Sequence, residues 1–479
     1  MLSTLAAVLA SISLASAATS NTSTTATSTF GTIKHYPPLS NAFNDLDSVF
    51  NASSGTNGGY YNTSFVADED YGAYNYCNMP HVRPREYVVP EGYDLQYVEI
   101  LHRHHKRTPY ASNTFPKEDI ALYCDDTKIY YYGAPKNGDA HADIWWKNYQ
   151  DAANPMAYYE TGFNGSCQFP QISNAGLADS EQHGKDVWAV YGDLLKFLPT
   201  EYDAATMRYR ATTNQITSQV AAMLVKAMYP EVNEFSVWQQ IAAVDSMEPS
   251  YTCTFADDIR DAYEATDEWQ VHLNESQELF DTLDGISGVD PTSSGWHSWF
   301  DHYFDNLSSR TCHQLPLPCN VTDPTSCITE ADAEQVFRIG DYEYNYIFRQ
   351  AANSTLYSAT HYGAFIAEIQ SRIKGKIAGS EPTIYRHNIG HDGSVSPLLG
   401  ALQVQYLRWP GMGSEVIFEL WRKENVGGYY IRVLYGGQPV VTNTPMGTLD
   451  MIPVETFLEY TESLVGENGE LVYQYCTSS

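Results

Sequence analysis

The sequence predicts an α/β protein, and three observations carry that prediction. The strand-like segment Met207–Thr212 runs into a helix-like segment, which makes a strand–turn–helix unit typical of α/β architecture. Residues 255–380 have mainly helical patterns, interrupted by loops that contain Gly and Pro. Near the end of the chain, residues 415–421 and 429–435 alternate as the two strands of a hairpin do.

The elements of the first half follow in chain order. Tyr97–Leu101 is an apolar run that predicts a buried strand, and a helix is expected near Ala178–Leu198. After the strand at Met207–Thr212, Thr213 or Asn214 can cap the next helix, because a short polar side chain can accept a bond from a free N–H of the first turn. That helix has an apolar face made of Ile216, Val220, Met223, Leu224 and Ala227.

The second half predicts helices first and strands later. Helices are expected over Tyr263–Leu283, Glu330–Phe337 and Tyr362–Ile373. The segment Thr383–Asp392 predicts a strand that ends in a turn, and Leu398–Leu407 predicts the helix that follows.

The N-terminal segment predicts an exported protein. Residues 1–17 combine a short apolar run with the small-residue site Ala15-Ser16-Ala17, which is typical of a secretory signal peptide. No later run is long and apolar enough to span a bilayer. Residues 18–30 are mostly Ser, Thr, Ala and Asn, and residues 31–90 show little periodicity, so we expect a leader followed by an irregular extension.

Glycosylation sites and cysteines agree with export. Eight N-x-S/T sequons predict exposed positions that carry N-linked glycans, at Asn21, Asn51, Asn62, Asn164, Asn274, Asn306, Asn320 and Asn353. The eight cysteines predict four disulfides, because an even number in an exported chain favours pairing. No Cys-x-x-Cys pair occurs, which disfavours a zinc cage of cysteines. One local bridge is expected within the trio Cys312, Cys319 and Cys327.

The net charge of −31 excludes two classes of partner. Nucleic acids and anionic membranes both require a broad basic face, which a chain this acidic does not offer. An anionic phosphate ester is also repelled at long range, so a site for it must be local and strongly basic. Many carboxylates lose their charge at acidic pH, and the repulsion would then ease.

The densest basic cluster is the run His102-Arg103-His104-His105-Lys106-Arg107, which follows the predicted strand at Tyr97–Leu101. Arginine suits phosphate because its planar guanidinium stays charged and donates two hydrogen bonds at once. His104 lies between Arg103 and Arg107, and Pro109 closes the turn. The spacing predicts a phosphate site with a nucleophile in it; the alternative is a basic surface loop without a ligand.

Phosphoryl transfer also needs an acid for the leaving oxygen, and His391-Asp392 can supply it. The pair ends a predicted strand, which is where α/β sheets place their sites. His391 can donate a hydrogen bond to a phosphoryl oxygen, and Asp392 can protonate a departing alkoxide. The turn Gly393-Ser394 could add backbone N–H groups. The simpler alternative is a turn in which Asp392 only caps a helix.

The histidines of the basic run, His102, His104 and His105, also suggest a metal site. His102 and His104 could point the same way on a strand or turn. Arg103, Lys106 and Arg107 would repel a cation there, so we expect neither a metal nor another cofactor.

With both motifs in view, the chain resembles the histidine acid phosphatases, the two-domain branch of the histidine phosphatase superfamily that includes phytases. The family pattern R-H-G-x-R-x-P is similar to Arg103–Pro109, and the later H-D motif is similar to His391-Asp392. The strands Ser414–Trp421 and Tyr430–Tyr435 also resemble the family's C-terminal region. The resemblance covers about residues 90–476.

The resemblance implies a mechanism and an architecture. His104 would attack phosphorus and form a phosphohistidine, and Asp392 would protonate the leaving group, while Arg103, Arg107 and His391 would hold the phosphate. No metal is implied. The fold would be a mixed-sheet α/β sandwich core (91–120, 178–235 and 355–479) with mainly helical cap insertions (121–177 and 236–354), after a signal peptide (1–17), a leader and an extension (18–90).

The chain departs from the family pattern at two positions. His105 replaces the family glycine, so a bulky side chain must point away from the site, reshape it or contact substrate. Ile216 stands where a further phosphate-binding arginine is expected after Arg210-Ala211-Thr212. Arg208 or Arg210 could substitute, although a structural hydrogen bond is the simpler role for either.

We therefore expect a secreted, glycosylated acid phosphatase that hydrolyses phosphate monoesters. The main alternative is a weak or inactive relative that keeps the fold and binds phosphate esters or glycans, which Ile216 favours. An intracellular enzyme similar to phosphoglycerate mutases would conflict with the signal peptide and the sequons.

Overall fold

One eight-stranded mixed sheet organises the protein and confirms the predicted α/β class. The structure is a computed structural model, and it describes residues 33–52, 64–117, 121–127, 129–131, 144–149, 153–155 and 164–478. The sheet has the order β13-β12-β11-β1-β10-β6-β7, with β14 paired to β12. Its strands are β1 (Tyr93–Arg103), β6 (Met207–Ala211), β7 (Val237–Trp238), β10 (Tyr385–Gly390), β11 (Glu415–Lys423), β12 (Tyr429–Tyr435), β13 (Gln438–Pro439) and β14 (Ile452–Pro453).

Three small strand pairs lie outside the main sheet. They are β2 (Ala121–Leu122) with β5 (Asn164–Gly165), β3 (Ile129–Tyr131) with β4 (Ile144–Trp146), and β8 (Cys319–Asn320) with β9 (Asp323–Cys327).

Helices flank the sheet and fill the predicted helical stretch. They are α1 (Leu46–Asn51), α2 (Asn174–Trp188), α3 (Gln215–Met228), α4 (Thr254–Glu264), α5 (Asp267–Glu275), α6 (Gln277–Ser287), α7 (Ser294–His297), α8 (Asp301–Cys312), α9 (Glu330–Asn345), α10 (Ser354–His361), α11 (Gly363–Ile377), α12 (Asp392–Ala401), α13 (Val454–Val465) and α14 (Glu470–Thr477). Asn214 caps α3 as predicted, because its side chain accepts a hydrogen bond from the backbone N–H of Ile216.

Strand β1 is buried from Tyr97 to Arg103, and its apolar side chains there point to both faces of the sheet. Val98 and Ile100 face one cluster of buried apolar side chains, which includes Val187 of α2. Tyr97 and Leu101 face a larger cluster, which the helices after α3 complete. The sheet is therefore covered by a helical layer on each side.

The register of β1 and β10 brings the two sequence motifs together. The strands are parallel, and Arg103 lies opposite Gly390. His104 and His391 each follow one of these two residues, so they lie side by side at the carboxyl edge of the sheet. The antiparallel strands β11 and β12 form the predicted hairpin.

Two helix predictions were inaccurate. Helix α12 begins at Asp392, directly after its strand, and ends at Ala401, whereas the sequence predicted Leu398–Leu407. The helix can start early because the backbone N–H of His391 donates to Ser394 Oγ at 3.1 Å and so fixes the first turn. The predicted helix Tyr263–Leu283 is three short helices, α4 to α6, of which Thr266 caps the second.

Four disulfides confirm the prediction made from the cysteine count. They are Cys77–Cys312, Cys124–Cys167, Cys253–Cys476 and Cys319–Cys327. The expected local bridge is Cys319–Cys327, whose cysteines are separated by eight in the sequence. Two others join segments more than 200 residues apart in the sequence.

The sequon prediction was wrong at Asn306. This side chain is 2% exposed, donates to the carbonyl of Asn113 at 2.9 Å and accepts from Arg310, so the folded protein has no room for a glycan there. Asn51, Asn274 and Asn353 are exposed, whereas Asn320 is half-buried. Asn21, Asn62 and the side chain of Asn164 lie outside the described residues.

Residues Ile33–Ser479 form one compact unit, and the predicted boundaries between core and cap within it stay a prediction. The predicted signal peptide and the Ser/Thr-rich leader lie outside the described residues. Within the described part of the chain, no helix has the length and apolar character needed to cross a membrane.

Candidate active site

His104 is held in place by the backbones of two neighbouring strand ends. Its N–H donates to the carbonyl of Gly390 at 3.1 Å, and its own carbonyl accepts from the N–H of Gly413 at 3.1 Å. The side chain is 1% exposed. The ring therefore extends from a fixed backbone position at the carboxyl edge of the sheet.

The hydrogen bonds of His104 determine which ring nitrogen carries the proton. Nδ1 lies 3.0 Å from the carbonyl oxygen of His105, which can only accept, so Nδ1 carries the proton. Nε2 then keeps its lone pair, and Arg107 Nε lies 3.4 Å from it. Burial, and then the charges of Arg107 and Arg103, hold the pKa of His104 well below its usual range. The lowered pKa favours the neutral form of the ring, which is the form that a histidine nucleophile requires.

Arg103 and Arg107 lie on either side of His104 and are both buried. Arg103 donates to the carbonyl of Pro410 and pairs with Asp392, with 2.8 Å between nitrogen and oxygen. Arg107 pairs with Asp305 at 2.9 Å and stacks on Tyr110, 4.4 Å from the ring centre. Carboxylates thus hold both guanidinium groups in fixed positions beside the nucleophile.

His391 faces His104 across the strand ends, with 5.4 Å between the ring centres. Its Nε2 lies 2.9 Å from Thr212 Oγ1 and 3.6 Å from a carboxylate oxygen of Glu248. The hydrogen bond to His391 is the main cause that lowers the pKa of Glu248. Glu248 is therefore ionised and lies beside His391.

Asp392 is held by a set of donors. Trp409 Nε1 donates to Oδ2 at 2.6 Å, and the N–H of Gly393 donates to Oδ1 at 2.8 Å. Burial alone would raise the pKa of Asp392, but the charge of Arg103 and the bond from Trp409 outweigh it, and the pKa is lowered. Asp392 is accordingly ionised in the free protein.

These side chains border one open cleft of about 330 Å³. Four of the five predicted site residues line it, namely His104, Arg107, His391 and Asp392. The fifth, Arg103, lies behind Asp392 as its ion-pair partner. The remaining lining residues are Tyr110, Glu248, Pro249, His361, Gly393 and Ser394.

The position of Ile216 offers no phosphate contact. Ile216 is fully buried in an apolar cluster with Ile172, Val220 and Ile389. Neither arginine considered as its substitute lines the cleft. Arg210 forms ion pairs with Asp245 and Glu368, and Arg208 stacks on Trp238. Both arginines have structural partners, as the simpler interpretation predicted.

The histidines beside His104 point away from the cleft. His105 is fully buried, and its Nε2 lies 3.2 Å from His102 Nε2. A substrate contact by His105 is thus excluded in this structure. His102 and His104 do not point the same way, as a metal site shared by these two residues would require, because their side chains face different parts of the protein.

Sequence reasoning missed the groups that hold the site residues. Asp305 and Trp409, which anchor Arg107 and Asp392, come from distant parts of the chain. Thr212 was noted only as the end of a strand, although it contacts His391. Glu248 belongs to no recognisable sequence motif. Their roles depend on tertiary contacts that have no local spacing signal.

The fold and the cleft define an α/β protein with a cleft of histidine, arginine and aspartate side chains at the carboxyl edge of a mixed sheet. The chain belongs to the histidine phosphatase superfamily (branch 2), whose family model matches residues 94–436. This membership confirms the resemblance found in the sequence and supports phosphatase activity.

Curated relatives cover most of the chain. It is 25% identical to Counting factor 60 from Dictyostelium discoideum over 406 residues, which are 82% of this chain and 91% of the relative. It is 22% identical to 2-phosphoxylose phosphatase 1 from Homo sapiens over 442 residues, 86% of this chain and 87% of the relative.

Solved structures share the fold. The phytase of Hafnia alvei in complex with myo-inositol hexakis sulphate superposes with a TM-score of 0.53 at 13% identity, over 80% of this chain and 99% of that chain. The phytase of Klebsiella sp. ASR1 has a TM-score of 0.50 at 16% identity, over 79% and 95%.

Proposed function

We propose that the protein is a secreted acid phosphatase that hydrolyses phosphate monoesters through a phosphohistidine. The observation that carries the proposal is the cleft lined by His104, Arg107, His391 and Asp392, in which the unprotonated Nε2 of His104 accepts a 3.4 Å hydrogen bond from Arg107. The four disulfides support export, since such bonds persist in oxidising compartments.

The first step transfers the phosphoryl group to His104. Nε2 attacks phosphorus, a P–N bond forms, and the P–O ester bond breaks with its electron pair on the leaving oxygen. Arg107 and His391 donate hydrogen bonds to the phosphoryl oxygens, and the charge of Arg103 lies behind them. Asp392 supplies the proton that converts the leaving alkoxide into an alcohol.

The second step releases phosphate. Water attacks phosphorus, the P–N bond breaks, and its electron pair returns to Nε2 of His104. Asp392, now a carboxylate, accepts the proton of the water and is ready for the next cycle.

The protonation state of Asp392 is the reason why we propose an enzyme that works at acidic pH. The carboxyl must be protonated to act as an acid, and Arg103 and Trp409 favour its ionised form. The negative charge of a bound phosphate ester disfavours a second anion beside it and so raises the pKa of Asp392 in the complex. Because the low pKa of His104 keeps the nucleophile neutral at acidic pH, turnover rises as pH falls and is lost towards neutral pH.

The cleft favours a substrate that carries one phosphate. Arg107 is the one lysine or arginine among the described residues that line it, and Glu248 adds a negative charge. A second phosphoryl group near Glu248 would meet a like charge, which costs about 1 kcal/mol at 4 Å even in water. We therefore propose monophosphates of neutral alcohols, including sugars, as substrates; the relative 2-phosphoxylose phosphatase 1 supports this class.

A substrate panel tests this function. The wild type and His104→Ala are compared on p-nitrophenyl phosphate, 2-phosphoxylose and phytate between about pH 3 and 7, the range in which carboxylates and histidine titrate. We expect turnover of both monophosphates, with kcat/KM about fivefold or more above that for phytate. His104→Ala should lose about 10³-fold or more of this rate.

Two results would contradict the proposal in different ways. Preference for phytate would refute the substrate class but leave the phosphatase intact. Binding without turnover in both proteins would support the alternative, a phosphate-ester-binding relative. The buried Ile216, which leaves one phosphate contact unfilled, is the observation that favours this alternative.

A further inference from the structure

A cluster of fully buried imidazoles lies directly behind the cleft and takes no part in the proposed reaction. It contains His102 from the end of β1, His105 from the following loop, His183 from α2 and His387 from β10. Three of them, His102, His105 and His183, offer nitrogens that all lie within 4.8 Å of one another. We refer to these three as the histidine triad.

We propose that the histidine triad is a transition-metal site that holds Zn²⁺ and fastens the catalytic loop to α2. His102 Nε2 lies 3.2 Å from His105 Nε2, and His183 Nδ1 lies 3.3 Å from the same atom. Nitrogens bound at 2.0–2.1 Å to a tetrahedral zinc ion lie about 3.3 Å apart, so these two spacings match those of zinc ligands. The third pair, His102 and His183, lies within 4.8 Å and would close slightly around an ion. The proposal is independent of the proposed function.

The hydrogen bonds around the triad leave the required lone pairs facing inward. His183 Nε2 lies 2.8 Å from Glu415 Oε2, and a carboxylate can only accept, so the proton is on Nε2. Nδ1 of His183 then has a free lone pair. A carboxylate behind a histidine is the usual outer partner of a metal ligand, because it fixes the tautomer and makes the ring more basic.

A relay can fix His102 in the same way. Its Nδ1 lies 3.1 Å from His387 Nε2, and His387 Nδ1 lies 2.8 Å from the hydroxyl of Tyr385. When each ring donates outward, from His102 to His387 and from His387 to Tyr385, Nε2 of His102 keeps its lone pair. The Tyr385 hydroxyl then donates to the sulfur of Met228, 3.9 Å away.

A proton alone satisfies the triad poorly. His105 Nε2 faces two lone pairs, those of His102 and His183, and one N–H can be directed at only one of them. His105 Nδ1 is buried and has no hydrogen-bond partner among the described residues, so no hydrogen bond at Nδ1 stabilises the ring. A cation between the three nitrogens pairs every lone pair at once.

Nearby charges also permit a cation. The basic neighbours that argued against a metal in the sequence are each paired with a carboxylate: Lys106 with Asp179 at 2.9 Å, Arg103 with Asp392, and Arg107 with Asp305. Glu415 is fully buried and contacts His183 of the triad at 2.8 Å, so it places a carboxylate beside the proposed ion.

The donor set selects the kind of metal. Three imidazoles suit Zn²⁺, Cu²⁺, Ni²⁺ or Fe²⁺ better than Mg²⁺ or Ca²⁺, which prefer oxygen. No fourth side chain of the described residues joins the group, so a small ligand such as water would complete a tetrahedron around zinc. A bound ion would connect the residues on both sides of His104 to α2 and hold the loop between them.

Metal content and metal replacement test the site. Protein expressed with added zinc and desalted should contain about one Zn²⁺ per chain by elemental analysis. After removal of zinc by a chelator, Zn²⁺ at about 100 times its dissociation constant should raise the Tm by about 3–5 °C. Co²⁺ in the same site should give the visible absorption bands of a tetrahedral nitrogen-ligated ion.

Two triad variants and one control locate the ion. His105→Gly installs the residue that the family pattern has at this position, and His183→Gln removes a ligand from α2. His297→Gln is the control, because His297 contacts Asp284 and the carbonyl of Ser293 at a half-buried site outside the cluster. Both triad variants should lose the metal, the cobalt bands and the Tm shift, and the control should keep all three.

The wild-type measurements keep the proposal falsifiable even if a triad variant fails to fold. A wild type that contains no zinc, shows no Tm shift with Zn²⁺ and gives no cobalt bands would overturn it. Metal that persists in folded His105→Gly or His183→Gln protein would place the ion elsewhere and overturn it equally.

Discussion

At the scale of a single residue, the hydrogen-bond and ion-pair partners of Asp392 determine whether its carboxyl is ionised. Its carboxylate pairs with Arg103 at 2.8 Å and accepts a bond from Trp409 at 2.6 Å, and both favour the ionised form. The proposed mechanism requires the opposite form at the moment of bond cleavage. The negative charge of a bound phosphate ester opposes this effect, so the acid becomes available when substrate is present.

Asp392→Asn should impair hydrolysis according to the leaving group. An alkyl phosphate needs its leaving oxygen protonated, so its rate should fall by about 10²–10⁴-fold. p-Nitrophenolate leaves without a proton, so p-nitrophenyl phosphate should lose much less. Trp409→Phe is the matched control, because it removes a donor to Asp392 but keeps the carboxyl. Equal losses for both substrates in Asp392→Asn would argue against a proton donor at this position.

At the scale of one element, helix α3 shows why a family position changed. The helix packs against β6 and β10, and Ile216 occupies its first turn inside an apolar cluster. An arginine there would have to bury its charge among Ile172, Val220 and Ile389. The replacement by isoleucine is therefore consistent with local packing, and it leaves the phosphate contacts to other residues.

Ile216→Arg should destabilise the protein without improving phosphate binding. Burying an unpaired guanidinium in an apolar cluster should lower the free energy of unfolding by about 3 kcal/mol or more. Ile216→Val, the control, should cost about 0.5–1.5 kcal/mol. Urea unfolding measures both, and inhibition by inorganic phosphate measures binding. Tighter phosphate inhibition in a stable Ile216→Arg protein would show that the position can still serve as a clamp.

The strands were easier to predict than the helices that border the site. β1, β6 and β11 were predictable because each is a short run rich in β-branched, aromatic and other apolar residues. The start of α12 was not, because a bond between the His391 backbone and Ser394 sets it. Likewise, His104, Arg107, His391 and Asp392 could be found from their spacing, whereas Asp305, Trp409 and His183 are brought in by tertiary packing alone.

At the scale of the whole molecule, long-range disulfides join segments far apart in the sequence. Cys253 precedes α4 and Cys476 lies in α14, so their bond links the middle of the chain to its end across 223 positions. Cys77–Cys312 likewise links the N-terminal extension to α8. Such links constrain the unfolded chain most when the loop they close is long.

The double variant Cys253→Ser/Cys476→Ser should therefore lose about 2–5 kcal/mol of unfolding free energy. The control, Cys319→Ser/Cys327→Ser, opens a loop of only eight positions and should lose less. Urea unfolding under oxidising conditions compares the two. A larger loss from the short bridge would mean that local structure around β8 and β9, rather than chain entropy, dominates.

The most direct test of the central claim is to trap the phosphoenzyme. Wild type and His104→Ala are mixed with a labelled phosphate monoester at acidic pH, quenched in alkali, and digested for peptide mapping. We predict label bound through nitrogen on the peptide that contains His104 in the wild type, and none in the variant. Label on another residue, or turnover by the wild type with no label on His104 at any quench time, would contradict a phosphohistidine mechanism.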